Sequence, residues 1–217
     1  MNEELQKNIL KSNTSLIGLV CKDGVILGAD RRVTAGNLIM DKKYTKVLRV
    51  NDNVIVAYTG GVADAQLTNK LLAAELRLKE LRTKSRSSTE ESANLVANMT
   101  YRSIRTPSMM MHIVGTLIAG VNPDGTAELY TIEPAGGIYK VKEYDANFSS
   151  GMPYILGFLE RMYRKDLTVK EGVELAKEAL KASTQRDSGS GNGIDVFTVT
   201  KDGIKHVVSE EIVAEYK

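Results

Sequence analysis

Short apolar runs separated by polar turns predict strands along much of the chain. Three pairs of runs flank an Asp-Gly turn, at Asp23-Gly24, Asp124-Gly125 and Asp202-Gly203. Asp-Gly between apolar runs is a strong hairpin signal, and a fourth pair flanks the polar turn 51–53. Repeated hairpins of this kind predict mainly antiparallel sheets. The predicted strand pairs are 16–21 with 25–29, 45–50 with 54–59, 113–121 with 127–132, and 194–200 with 204–208.

Helical periodicity replaces this pattern in two regions. Residues 62–83 carry an apolar stripe with spacings of 4, 3, 4 and 3 residues, typical of an amphipathic helix that packs one face on a core. Ser88 and Thr168 each precede a glutamate by three positions, a capping box that predicts helices ending near Arg105 and Thr184. A short helix is predicted at 153–163. The stripe consists of Leu67, Leu71, Ala74, Leu78 and Leu81.

The order of these elements predicts the fold class. Strands, two helices, strands, two helices and strands follow one another, without the alternation of a parallel α/β protein. This order predicts an α+β protein, a four-layer αββα sandwich in which two antiparallel sheets lie between helix pairs. Because no linker or low-complexity run divides the chain, we predict one domain over 14–217, preceded by a short polar extension over 1–13.

The composition favours a folded protein without a metal centre. Of the 217 residues, 42% are hydrophobic and 26% are charged, with 29 Lys+Arg against 27 Asp+Glu and a net charge of +2. Such a balance gives no general attraction to nucleic acid or to an anionic membrane. The single cysteine, Cys21, and two distant histidines, His112 and His206, form no disulfide pair and no metal-ligand spacing. We expect no cofactor, a buried Cys21 and structural roles for both histidines.

Three segments bear on location and partners. The first residues are polar and no run approaches the ~18 apolar residues of a membrane span, so we expect a cytoplasmic protein without membrane contact. The basic run 77–86 contains Glu80 and no aromatic residue, which favours a solvated helix face or a subunit contact over a nucleic-acid site. Met109–Met111 can belong to the core or to an interface.

A hydrolase built from this sequence needs a base other than histidine. Neither histidine has a carboxylate motif beside it in the sequence, which disfavours a Ser-His-Asp triad, and no Gly-rich phosphate loop precedes a helix. An N-terminal threonine can use its own α-amino group as the base, since that group has a pKa of about 7.7–8.0. Thr14-Ser15, at the start of the first strand, fits this chemistry if the chain is cleaved before Thr14.

Several spaced motifs resemble one family. Residues 14–34, TSLIGLVCKDGVILGADRRVT, resemble the opening of a proteasome β-subunit, especially of the archaeal kind. The likeness continues through 60–66, returns at Ser150-Gly151 and at 186–195, and covers nearly the whole chain from Thr14 onward. The family has the αββα fold of the N-terminal-nucleophile hydrolases. The resemblance implies a threonine endopeptidase that is made as a zymogen, cleaves itself between Asn13 and Thr14, and degrades unfolded proteins.

The resemblance also implies a role for each matching residue. Thr14 is the nucleophile, Asp30 and Lys46 are its charged partners, and the backbone N–H of Gly60 binds the oxyanion. Thr34 holds the substrate as an added strand. The residues that position the threonine amine and hydroxyl are Ser150, Asp187 and Ser190. The implied substrate-binding residues are Val33, Thr34, Tyr58 and Val62.

The same residues allow plainer interpretations, which stay open at this point. Asp30 beside Arg31-Arg32 is compatible with a surface ion pair. Lys46 alone is compatible with a solvated lysine at a strand edge. The run 188–193 is compatible with a simple loop between a helix and a strand.

The chain departs from the family pattern at a few positions. Asn13 stands where the family usually has glycine, and asparagine enters the tight turn needed for self-cleavage less freely than glycine. The alternatives are therefore a self-cleaved threonine endopeptidase, an unprocessed and catalytically silent structural β-subunit, or another N-terminal-nucleophile hydrolase.

Tyr58, at the implied floor of the pocket for the side chain before the scissile bond, predicts a preference for small side chains. Further departures are Leu16, Ser149 and Met152.

The resemblance implies partners as well. Family members form stacked heptameric rings of β-subunits, capped by rings of α-subunits. Such a chamber admits unfolded polypeptides, which an ATP-dependent unfoldase delivers through the α-ring. The sequence has no long N-terminal helix of the α type, so we expect a β-subunit.

Overall fold

The structure is a computed structural model and describes residues 13–212. All of the predicted extension except Asn13, and the last five residues of the predicted domain, lie outside the described residues. The strands of the described part are β1 Leu16–Cys21, β2 Gly24–Asp30, β3 Val33–Ala35, β4 Leu38–Asp41, β5 Val47–Arg49, β6 Val54–Gly60, β7 Val114–Val121, β8 Ala127–Ile132, β9 Ile138–Lys140, β10 Tyr144–Asp145, β11 Gly193–Thr200 and β12 Gly203–Glu211. The helices are α1 Val62–Thr83, α2 Thr89–Arg105, α3 Met152–Met162 and α4 Val169–Thr184.

Two five-stranded antiparallel sheets form the centre of the molecule. The first has the strand order β10-β1-β2-β11-β12 and the second β5-β6-β7-β8-β9, while β3 and β4 pair separately. The four predicted hairpins are all present, with Leu16 opposite Ala29 in the first of them. The short strands β3, β4, β9 and β10 were not predicted, because they are too short to show an alternating pattern.

Alternation along the strands divides the core into three layers. Ile17 and Leu19 of β1 pack towards α3 and α4, whereas Leu16 packs between the two sheets. On β6, Val56 packs towards α1 and α2, and Ile55 packs between the sheets. Successive residues of a strand point to opposite faces of its sheet, so each sheet is covered on one face by helices and on the other by its partner sheet. The predicted α+β class and αββα order are confirmed.

The helix α1 has the predicted bounds but buries a different face. Leu67, Leu71 and Leu81 of the predicted stripe are 54%, 48% and 50% exposed, so the prediction that this stripe faces the core is wrong. The helix rests on a neighbouring face that includes small side chains and allows close approach to the second sheet. Periodicity identifies the helix, but two adjacent faces of α1 are apolar enough to be buried. The buried face consists of Ala65, Thr68, Leu72 and Leu76.

The helices α2 and α4 begin as their capping residues predict. The Ser88 side chain accepts a hydrogen bond from the Glu91 backbone, and the Glu91 side chain accepts one from the Ser88 backbone. Thr168 and Glu171 form the same reciprocal pair at the start of α4. Each cap satisfies backbone N–H groups that have no partner within the helix. No helix between residues 13 and 212 is both long enough and apolar enough to cross a membrane.

Cys21 is buried, as predicted, and this burial has a measurable consequence. Its exposed fraction is 8%, and desolvation, with smaller contributions from Asp23 and Glu171, raises the pKa of its thiol to about 12. Because the thiolate is the reactive form, we expect iodoacetamide at pH 8 to label the native protein at least ~100-fold more slowly than the protein unfolded in urea. Intact mass spectrometry follows the labelling. Equal rates in the two states would contradict the buried position of Cys21.

Candidate active site

Thr14 is positioned by the start of an interior strand. It lies two residues before β1, which pairs with β10 on one side and β2 on the other. Its backbone N–H donates a hydrogen bond to Ser150 Oγ at 2.8 Å, and its Oγ1 donates to the carbonyl oxygen of Asn13 at 2.7 Å. The peptide bond between Asn13 and Thr14 is intact, so the structure describes the uncleaved chain.

A buried ion pair lies against the Thr14 hydroxyl. Lys46 Nζ is 3.2 Å from Thr14 Oγ1 and 2.6 Å from Asp30 Oδ1, and the Lys46 and Asp30 side chains are 5% and 0% exposed. Asp30 ends β2 and Lys46 directly precedes β5, so the two sheets contribute one partner each. Burial lowers the pKa of Lys46 below its ordinary value, and the Asp30 carboxylate opposes this shift. The hydroxyl therefore contacts a lysine that loses its proton more readily than an exposed lysine does.

Backbone hydrogen bonds fix the Asp30 carboxylate. Oδ1 accepts from the backbone N–H of Ser15 at 2.9 Å, and Oδ2 accepts from those of Arg32 at 2.9 Å and Gly191 at 3.0 Å. With Lys46, these donors supply four hydrogen bonds to one carboxylate, which satisfies a buried charge. The interpretation of Asp30 as a surface ion pair with Arg31 or Arg32 is wrong, because it bonds only the backbone of Arg32.

A second polar network holds the backbone nitrogen of Thr14. Ser150 Oγ donates to Asp187 Oδ2 at 2.6 Å, and Ser190 Oγ donates to the same oxygen at 2.5 Å. Ser15 Oγ donates to Ser190 Oγ at 2.8 Å and lies 2.6 Å from Ser183 Oγ. The structure thus brings together the three predicted positioning residues, Ser150, Asp187 and Ser190. The structure also places Ser15 and Ser183 in this network. Neither role was predicted from the sequence, although Ser15 directly follows Thr14.

A cavity of about 580 Å³ opens beside Thr14. The predicted substrate-binding residues all line it, together with Thr14, Lys46, Gly60 and Asn13. Met109–Met111 also line it and are more than half exposed, so the core, one of the two alternatives left open for them, is wrong. This lining role was not predictable from the sequence, because a run of three methionines shows neither strand nor helix periodicity. The predicted residues in the lining are Val33, Thr34, Tyr58 and Val62.

Gly60 lies in this lining at a position where only glycine fits. Its φ is +115°, a conformation that residues with a Cβ rarely adopt. A Cβ built there would also lie 2.1 Å from the carbonyl oxygen of Ile113. Gly60 ends β6, and the chain turns from there directly into α1, so the glycine sets the path of the backbone beside Thr14.

Comparison with known proteins identifies the family. The family model described as Proteasome subunit matches residues 10–199. The chain belongs to the proteasome subunit family. It is 37% identical over 199 residues to the proteasome subunit beta of Methanocaldococcus vulcanius, covering 92% of this chain and 87% of the relative. That of Methanococcus maripaludis is 36% identical over 211 residues (97% and 94% covered), and that of Nanoarchaeum equitans is 36% identical over 197 residues (91% and 98% covered).

These relatives identify the chain as a proteasome β-subunit of the archaeal type, a class of protease component. Membership of this family implies assembly with other subunits into a proteasome core. The resemblance recognised from the sequence motifs is thereby confirmed. The fold and the family therefore agree.

Two residues that line the cavity have buried polar atoms without a hydrogen-bond partner in the described part of the chain. Tyr58 is almost fully buried, and among the described residues its hydroxyl has no hydrogen-bond partner. Desolvation raises the pKa of that phenol above its ordinary value, so it stays protonated. Thr34 Oγ1 is likewise buried without a partner among residues 13–212. Unpaired buried polar atoms are costly, and both belong to residues that line the cavity.

The arginines of the first motif hold neighbouring parts of the proteasome subunit. Arg31 forms an ion pair with the buried Asp195 of β11 at 2.5 Å. The Arg32 guanidinium donates to Asn192 Oδ1 at 2.7 Å and to the Ser188 carbonyl at 2.8 Å. Arg32 thereby ties the loop 188–192 to the end of β2, so the interpretation of this loop as a simple connection is wrong.

Both histidines of the proteasome subunit have a carboxylate neighbour that the sequence did not indicate. His206 Nε2 lies 2.9 Å from Asp195 Oδ1, and His112 Nδ1 lies 3.5 Å from Asp64 Oδ1. Asp195 lies on β11, the hairpin partner of the strand that carries His206, whereas Asp64 lies on α1, far in the sequence from His112. Neither histidine is a hydrogen-bond partner of Thr14. Within residues 13–212, no three His, Cys, Asp or Glu side chains are grouped as metal ligands.

Proposed function

We propose that this proteasome β-subunit is a threonine endopeptidase whose nucleophile is Thr14. The observation that carries the proposal is the 3.2 Å contact between Lys46 Nζ and Thr14 Oγ1, inside a buried pair with Asp30. A threonine hydroxyl is a weak nucleophile and needs activation by its neighbours. A cation at hydrogen-bond distance favours the alkoxide that forms as the hydroxyl loses its proton. Asp30 keeps Lys46 charged and oriented.

The first reaction is cleavage of the chain itself. Thr14 Oγ1 attacks the carbonyl carbon of Asn13, the bond from that carbon to the Thr14 nitrogen breaks, and the hydroxyl proton ends on that nitrogen. The product is an ester between Asn13 and the Thr14 side chain. Water hydrolyses the ester, which releases residues 1–13 with a new carboxylate and restores the Thr14 hydroxyl. Thr14 then has a free α-amino group.

Substrate hydrolysis uses the new amine as the base. The amine accepts the Oγ1 proton as the hydroxyl attacks a peptide carbonyl, and it returns that proton to the leaving amine. The backbone N–H of Gly60 stabilises the oxyanion, a contribution typically worth about 100–1000-fold in rate for one donor. Ser150, Asp187 and Ser190 hold the amine, and water then hydrolyses the acyl-enzyme. Thr34 aligns the substrate as an added strand beside β3.

Tyr58 sets the size of the side chain accepted before the scissile bond, and its replacement tests this. Tyr58→Ala removes the ring from the cavity lining, so we expect kcat/KM for a substrate with phenylalanine at this position to rise at least ~10-fold relative to one with alanine. Tyr58→Phe is the matched control, because it keeps the ring and removes only the hydroxyl. A panel of fluorogenic peptides measures the ratio. Fastest cleavage after large aromatic residues by the unmodified enzyme would contradict this assignment.

The proposed setting is a cytoplasmic core particle. Its parts are a heptameric ring of β-subunits, rings of α-subunits at both ends, and an ATP-dependent unfoldase that acts through the α-ring. The substrates are unfolded polypeptides. The geometry around Thr14 supports the proteolytic role, and the family supports the assembly.

The intact mass of the chain after assembly with its α-type partner tests the proposal. Loss of residues 1–13 is expected, because the hydrolysis of substrate requires the free α-amino group of Thr14. One observation favours the second candidate, an unprocessed structural β-subunit. Asn13 has a side chain, so it enters the tight turn needed for cleavage less freely than glycine does. A full-length mass in a fully assembled and inactive particle would overturn the proposal in favour of that candidate.

A further inference from the structure

We infer that the Asn13 side chain packs against Gly189 in the uncleaved chain, and that this contact positions the Asn13–Thr14 peptide bond for self-cleavage. The inference rests on the proposed function, because it concerns the same bond. The backbone N–H of Gly189 donates to Asp187 Oδ1 at 3.2 Å, so Gly189 borders the network around Thr14, and the inference assigns a role to the space beside its Cα. It also explains how the chain accommodates asparagine at the position before the nucleophile.

The evidence is a close contact between Asn13 and the loop 188–192. A Cβ built on Gly189 would lie 1.6, 2.3 and 2.6 Å from the Cβ, Cγ and Nδ2 of Asn13. These three atoms are the nearest to that point, and real Cβ atoms essentially never come so close to another heavy atom. Gly189 is buried. The Asn13 side chain therefore occupies the space that any side chain at position 189 would need.

The contact acts on the reacting atoms through one residue. The scissile unit is held by Thr14 N–H on Ser150 Oγ and by Thr14 Oγ1 on the Asn13 carbonyl oxygen. The contact of Asn13 with Gly189 also fixes the residue on the acyl side of the Asn13–Thr14 peptide bond. A side chain at position 189 would displace Asn13, and with it the carbonyl carbon that Thr14 Oγ1 attacks. A misplacement of about 1 Å typically costs on the order of 100-fold in rate.

The need for glycine here comes from the contact and not from the backbone. Gly189 is not among the glycines with positive φ, so its φ does not by itself require glycine. The requirement also depends on what stands at position 13. A glycine there has no Cβ to displace, whereas an alanine there keeps the Cβ that a substituent at 189 would meet.

The test follows self-cleavage in four full-length variants. G189A, N13G, N13A/G189A and N13G/G189A are compared with the unmodified chain, each assembled with the α-type partner. Time-resolved intact mass spectrometry measures the rate at which residues 1–13 are lost. G157A in α3 is the control for the glycine-to-alanine change, since a Cβ there meets no atom within 4 Å. Assembly of each variant is checked by size-exclusion chromatography.

The expected result is a rate that depends on both positions together. G189A slows cleavage by at least about tenfold, N13A/G189A stays equally slow, and N13G/G189A cleaves within about twofold of N13G. Equal slowing of G189A in the N13G chain would overturn the inference, because the defect would then lie in the loop itself. Cleavage of G189A at the unmodified rate would also overturn it. If the unmodified chain and N13G both assemble uncleaved, the proposed self-cleavage fails and the inference falls with it.

Discussion

Thr14→Ala is expected to abolish peptide hydrolysis, with kcat/KM falling by at least about 1000-fold. The substitution removes the hydroxyl oxygen that lies 3.2 Å from Lys46 Nζ and 2.7 Å from the Asn13 carbonyl oxygen. It also removes the group that cleaves the chain, so the variant keeps residues 1–13. Fluorogenic peptide hydrolysis measures the first effect, and intact mass measures the second, in particles of verified assembly.

Thr14→Ser is the matched control for this prediction. It retains the hydroxyl and the backbone nitrogen that bonds Ser150, and it removes one methyl group. Activity within about tenfold of the unmodified enzyme is expected, since the nucleophile and its neighbours remain. Full activity in Thr14→Ala would refute the assignment of the nucleophile. Loss of activity and of assembly together would be resolved by the serine variant, which conserves the packing at the start of β1.

Lys46→Ala is expected to lose activity by at least about 100-fold and also to destabilise the fold. The substitution leaves the fully buried Asp30 carboxylate without its cation, and removing one partner of a buried pair typically costs about 3–5 kcal/mol. Urea unfolding of the isolated chain measures the loss. Lys46→Ala/Asp30→Ala is the control, because it removes both charges and should recover part of the stability. A double variant no more stable than Lys46→Ala would contradict the pair as the source of the effect.

Asp30→Asn tests whether activity depends on the charge of Lys46, because it changes the pKa of the lysine and keeps its side chain in place. Burial lowers the pKa of Lys46 and the Asp30 carboxylate raises it, so neutralising Asp30 lowers that pKa further. If the charged lysine is the active form, the loss of activity on the alkaline side should move to lower pH in Asp30→Asn. The pH dependence of kcat/KM shows the shift. An alkaline limb that stays in place, while the rise of activity on the acid side moves to lower pH, would mean that the neutral lysine is the active form.

The sequence predicts the helices and strands themselves more accurately than it predicts which face of each one is buried. The stripe of α1 shows this, because Leu71 and Leu72 are neighbours in sequence and only Leu72 is buried. Either face satisfies the helical period, and the choice depends on how closely the helix approaches the sheet. The hairpin of β3 and β4 has the opposite problem. Leu38 and Met40 are mostly exposed, so an apolar pattern there does not report burial.

The candidate site divides in a similar way. Thr14, Asp30 and Lys46 come from spaced motifs that resemble a family, and the fold brings their polar atoms together. The contacts that fix them were not predictable, because they join backbone and side-chain atoms far apart in the chain. The Gly191 N–H on Asp30 and the contact between Ser15 and Ser183 are examples. These contacts form only when the two sheets stack and the end of α4 reaches its place beside them.

The interior position of β1 has a consequence for the mature enzyme. Chain ends usually fray, because few contacts hold them. Cleavage before Thr14 would instead create a chain end that is already anchored, since Leu16 and Ile17 are fully buried and β1 is bonded on both edges. The new amine would therefore arise in place, with no conformational search and little loss of entropy on binding substrate. Activation would require breaking one covalent bond while the fold itself stays unchanged.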